Sequence, residues 1–258
     1  MTDIKRYTSF GNNVLSASDI CYPPAMPKKP SASAMDEPPT HWEERSAQRV
    51  LEASREQLLE RSRRIVDAAY DLLDEAGLDG LTIRAVLTRT GLSRRAFYER
   101  FEGKDDLVLA VFEEAIHKAV KLFSERTADM ADPLERLRLI VTSIVMGKSM
   151  NSGSRIIHDR RGAALSREHL RLGESRPHDL RAALKPLIAL IEQQLADGMT
   201  KGVVRKDNPH RLATLLYNLV STTAQGELLT EESSQPDPAA KTQLAHDIWE
   251  FCRRAISA

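Results

Sequence analysis

Cysteine is scarce in this 258-residue chain: there are two, Cys21 and Cys252, far apart and in unlike surroundings. That excludes a disulfide-stapled scaffold and a closely spaced zinc pair, and it fits a reducing cytoplasm. Net charge is missing as well. The 37 lysines and arginines are balanced by 37 aspartates and glutamates, so attraction to nucleic acid must come from local basic clusters and not from a uniformly basic surface. No apolar run approaches the roughly 20 residues that span a bilayer, and the first residues lack the apolar core of a signal peptide. The expectation is a cytoplasmic protein with no membrane partner. The sequence contains no phosphate-binding glycine loop, nucleophile elbow or His-Glu-x-x-His run, and neither cofactor nor metal is implied. Strand-like alternation and internal repeats are also wanting.

Helical periodicity is what the chain does have, over an apolar fraction of 41%, enough at this length to bury a real core. Residues 1–45 read as a disordered extension, because Tyr22-Pro23-Pro24-Ala25-Met26-Pro27-Lys28-Lys29-Pro30 sustains neither helix nor central strand. Lys5, Arg6, Lys28 and Lys29 could touch DNA as a flexible arm or simply be solvated. Residues 46–106 read as a compact head. Arg45, Arg49, Arg55, Arg61, Arg63 and Arg64 mark a basic surface leading into a helix whose stripe is Ile65, Ala69, Leu72 and Leu73, with Gly77 as a left-handed C-cap.

Residues 107–258 read as a helical regulatory and dimerisation domain. A helix opening at Lys104-Asp105-Asp106 runs to about Met130, with Leu107, Val111, Ala115, Ala119 and Leu122 on one face. Further helices follow from Pro133, from Pro177 with a kink at Pro186, from Asn208-Pro209 and from Asp237-Pro238, with one or two short ones between Arg155 and Arg176.

The chain is organised around Thr82–Lys104. Ile83, Val86 and Leu87 recur at helical spacing behind Thr82, an N-cap; Gly91 permits a sharp turn; Ser93 is a second N-cap. In Arg94-Arg95-Ala96-Phe97-Tyr98-Glu99-Arg100-Phe101, Phe97 and Phe101 share one face while the arginines point outward. This is a helix-turn-helix, with the second helix suited to a DNA major groove. Thr82, Gly91-Leu92-Ser93, Phe97-Tyr98, Phe101 and Lys104-Asp105-Asp106-Leu107 together resemble the DNA-binding domain of the TetR family of bacterial transcriptional regulators. Leu87 and Thr90 stand where alanines are common, and Arg95-Ala96 where Gly-Thr is frequent, so no operator sequence carries over. The resemblance implies phosphate contacts at Tyr98 and Lys104. It also implies a homodimer in which the last two helices, here Leu212 to Glu227 and Lys241 to Ala255, form a four-helix interface with their copies. A monomeric core is the plain reading of the same stripes.

Double-stranded DNA is the expected partner. Thr82 and Ser93, at helix N-termini, suit phosphates, and Arg94 and Arg95 suit base reading, since an arginine fork meets guanine O6 and N7 with two parallel hydrogen bonds. Arg84, Arg89 and Arg100 are weaker candidates, better read as phosphate-facing or solvated. Two heads on a two-fold axis would read a pseudo-palindrome. The helical remainder would then sense a small effector, apolar or amphipathic, whose preference for one conformation limits the switch; Arg155, His158, Asp159 and Arg160 could add polar selectivity or merely face solvent. Two other readings stand beside this repressor. In one, the C-terminal domain binds a protein partner or only dimerises. In the other, His158-Asp159, His169 and His178 serve an enzyme, although their spacing is irregular.

Overall fold

A computed structural model of the chain describes residues 40–146, 160–231 and 238–258. Among them the regular elements are α1 His41–Gly80, α2 Ile83–Thr90, α3 Arg94–Tyr98, α4 Lys104–Thr127, α5 Pro133–Met146, α6 Arg160–Ser175, α7 Pro177–Thr200, α8 Pro209–Glu231 and α9 Pro238–Ile256. The fold is all-α. The chain divides into two compact units, Met1–Glu52 and Ala53–Ala258.

In the first unit, Glu43 reaches back to the residue that opens α1. Its carboxylate accepts from the Thr40 hydroxyl at 2.7 Å and from the Thr40 N–H at 2.8 Å, and these bonds hold its pKa below the usual carboxylate range. The helix therefore begins at His41, not at the change of composition near Ser46, and the last residues of the presumed extension are helical. His41 to Glu52 are all exposed. Lys5, Arg6, Cys21, Lys28 and Lys29 lie outside the described residues.

The second unit contains two apolar cores. The head core gathers Ile65, Ala69 and Leu73 of α1, Leu81, Val86 of α2, and Phe97 and Phe101 around α3. Gly77 does interrupt α1, but at φ 65° and ψ −163° it is not the left-handed cap read from the sequence; Leu78 to Gly80 add a further turn before Leu81 enters the core. The second core packs Phe123, Leu137, Ile140, Leu172, Ile191, Leu195, Val220 and Cys252 from α4 to α9.

α4 belongs to both cores. From Leu107 to Phe112 it is buried on nearly every side, Leu107, Val108 and Val111 in the head and Leu109 and Phe112 in the second core. A single apolar face was expected there; a helix with apolar residues all round is one covered on both sides. α6 bridges the cores too. Its Ala164 is buried in the head core and its Arg171 reaches Asp105 at 3.3 Å, while Arg176, the N-cap of α7, reaches Asp106 at 3.7 Å, both in the first turn of α4. From Arg160 onward the irregular region is thus one helix; the Gly147–Gly153 stretch and Arg155 to Asp159 lie outside the described residues, as does most of the loop Glu231 to Gln235.

α7 continues through Pro186 without a break in helix. The carbonyl that proline deprives of a helical donor belongs to Ala182, an exposed residue that water can satisfy. At the far end the chain terminus is fastened to the α7–α8 connection: the Arg205 N–H donates to Ile256 O at 2.9 Å, within an isolated bridge between Val204 and Ser257.

Candidate nucleic-acid interface

Two hydroxyls set the geometry of the helix-turn-helix. Thr82 and Ser93 have extended backbones, and their side-chain oxygens accept the N–H groups of Ala85 at 3.1 Å and Ala96 at 3.2 Å. Each satisfies one of the donors a helix start leaves open. Gly91 ends α2 at φ 67° and ψ 15°, with its N–H bonded to Leu87 O at 2.9 Å. Thr90, where alanine is frequent in the family, is buried and spends its hydroxyl on Val86 O at 2.9 Å. Arg64 donates to the Thr90 carbonyl at 2.9 Å, so this arginine closes the turn.

The short helix α3 is held by Phe97, which is fully buried, with Phe101 at 5.5 Å and Tyr98 edge-on at 5.3 Å between ring centroids. It ends at Tyr98 and not at Phe101, Glu99 serving as its C-cap. With Phe97 fixing the inner face, Arg94, Arg95 and Tyr98 are all exposed, as are Thr82, Ser93 and Lys104. Lys104 Nζ donates to Leu78 O at 3.3 Å and ties the start of α4 to the end of α1.

The weaker arginine candidates separate. Arg89 is bound by both Glu75 oxygens at 3.0 and 2.6 Å, which pushes the Glu75 carboxyl below and the Arg89 guanidinium above their usual ranges. The Arg100 side chain is only 5% exposed and bonds to the Ala96 carbonyl. Arg84 is exposed on α2. One residue was missed altogether: Glu99 Oε1 accepts from Arg95 Nε at 2.9 Å. Its signal was in the sequence as an Arg–Glu pair four residues apart on a helix.

In the second core, α8 carries a buried polar row, Tyr217, Ser221 and Gln225. Gln225 bonds to His169 Nδ1 of α6, whose ring stacks on Phe112 at 6.0 Å and meets Tyr217 edge-on at 6.1 Å. Burial pushes the His169 pKa down, the Gln225 bond opposing it, and drives the Tyr217 phenol well above its usual range. Of the other histidines once grouped with it, His178 is exposed in the first turn of α7, and His158 lies outside the described residues with Asp159. Burial also raises the Cys252 thiol to about 11, which leaves it protonated and unreactive.

Residues 65–111 match the family model for bacterial regulatory proteins of the tetR family. The chain is similar to the fatty acid metabolism regulator protein of Bacillus subtilis (strain 168), 19% identical over 169 residues, which are 65% of this chain and 84% of that protein. Its fold is similar to the transcriptional regulator FadR from Bacillus subtilis in complex with stearoyl-CoA, at TM-score 0.55 and 16% identity over 74% of this chain and 96% of the other. RolR in complex with resorcinol is similar at TM-score 0.60 and 17% identity, over 78% and 89%. The helix-turn-helix is thus matched in sequence to the tetR family of bacterial regulatory proteins, and most of the chain's length is matched in fold to solved regulators.

Proposed function

We propose that the protein is a cytoplasmic repressor that binds a pseudo-palindromic operator as a homodimer and leaves it when a small effector occupies the second core. One observation carries the DNA reading: α3 is capped by Ser93, pinned by buried Phe97, and presents Arg94 and Arg95 side by side at its start, the Arg95 side chain 90% exposed. In this reading Arg94 and Arg95 read base edges, whereas Thr82, Ser93, Tyr98 and Lys104 fix the register on phosphates. Occluding a promoter needs no surface beyond these.

Leu215 and Leu219 on α8 and Phe251 on α9 support the homodimer, being 58%, 38% and 63% exposed. Large apolar groups on two adjacent helices call for a cover, and a two-fold copy supplies one. The effector reading is supported by the His169, Tyr217, Ser221 and Gln225 group, a set of donors and acceptors in an apolar interior next to the helix that bridges to the head. Stearoyl-CoA and resorcinol, held by two regulators of similar fold, differ too much to name the effector here.

Selection of bound fragments from a random duplex pool by the full-length protein tests the proposal. An enriched pseudo-palindrome supports it and supplies the duplex for an effector screen; no enrichment at moderate salt, from protein shown to be folded, contradicts it.

A further inference from the structure

We infer that Glu99 determines sequence specificity by holding the Arg95 guanidinium so that its two terminal nitrogens face a guanine edge. The inference rests on the base-reading role proposed above for Arg95. A guanidinium can offer a paired donor edge end-on, through its two Nη groups, or side-on, through Nε and one Nη. Glu99 Oε1 accepts from Nε at 2.9 Å, which occupies the side-on edge and leaves the end-on pair for O6 and N7.

Restraint matters at this position. Without a brace, a side chain 90% exposed would keep nearly all its rotamer freedom and could drift onto a neighbouring phosphate, a contact without sequence information. Glu99 is itself braced. Its other oxygen lies 3.5 Å from Arg100 Nη1, and that guanidinium is buried against the helix, bonded to Ala96 O. The order Arg100, Glu99, Arg95 thus runs from buried cation to carboxylate to exposed cation. Arg94 has no such brace, since the residue four positions on is Tyr98. An acid on the DNA-facing helix repels phosphate and lowers general affinity; what it returns is discrimination at one base pair.

The experiment compares wild type, Arg95→Ala, Glu99→Gln and the double variant on the duplex enriched by selection and on its single-base-pair variants. Glu99 is half-exposed, and thermal melting verifies that each variant is folded. Arg95→Ala is expected to lose about fivefold or more discrimination at one base pair per half-site. Glu99→Gln should lose discrimination at that same pair and at no other, and the double variant should be no worse there than Arg95→Ala. Tighter binding to every duplex by Glu99→Gln, with all preferences kept, would reduce Glu99 to a surface ion pair and overturn the inference. Loss at a different base pair would mean that Glu99 reads a base itself, which also overturns it. Should Arg95→Ala leave every preference intact, the base-reading role of Arg95 falls first, and the inference falls with it.

Discussion

Arg94 and Lys104, ten residues apart and both exposed, do different work in this account. Replacing Arg94 by alanine removes a base-reading fork, so binding should become less selective, by roughly 1–3 kcal/mol at the affected base pair. Replacing Lys104 removes a phosphate partner. Its loss should weaken binding to all duplexes alike and reduce the slope of log K against log salt by about 1. Salt titrations of both variants on matched and mismatched duplexes separate the two; a Lys104→Ala variant that altered base preference would exchange the assigned roles. Lys104 also has a structural duty through its bond to Leu78 O, so its melting temperature belongs beside the titration.

Among the elements, the helix-turn-helix was the most legible part of the chain, because its determinants are local. Thr82, Gly91 and Ser93 each act on backbone groups within four residues. Gly91→Ala tests this directly: a Cβ would meet nothing within 4 Å, yet φ is +67°. The cost is backbone strain alone, about 1–2 kcal/mol in a denaturant melt, and a neutral result would show that the turn is easily rearranged. Less legible were features that depend on distant partners. α4 reads as a one-faced helix until two cores close on it. The end of α1 looks like a simple glycine stop, although Leu78 to Gly80 make another turn before Leu81 is buried. Arg100 looks like one more surface charge, although its side chain is only 5% exposed. The Thr40–Glu43 pair that opens α1 was an overlooked local signal.

For the assembled protein, two solution properties follow. Partial burial holds the His169 pKa below the usual value near 6.5. At high pH it costs nothing. As pH falls through about 6.5 the unfolded chain takes up a proton that the folded chain refuses, so stability declines until the lower folded pKa is passed. Urea midpoints at about pH 7.5 and 5.5 should therefore drop more in wild type than in His169→Gln; equal drops would place the acid sensitivity elsewhere. The second property is association. Phe251→Arg sets a charge on the exposed apolar surface of α9, and the expected result is a monomer by sedimentation with an unchanged helical spectrum. A dimer surviving that change, and Leu215→Glu as well, would move the interface away from α8 and α9.

The most direct test of paired-head recognition is sedimentation of the protein on the selected duplex and on one with a single half-site scrambled. The account predicts two chains on the intact duplex and at least about a tenfold loss of affinity on the scrambled one, since specific binding there gives way to phosphate contacts that carry no sequence. Equal affinity for both duplexes, or one chain bound to each, would contradict it.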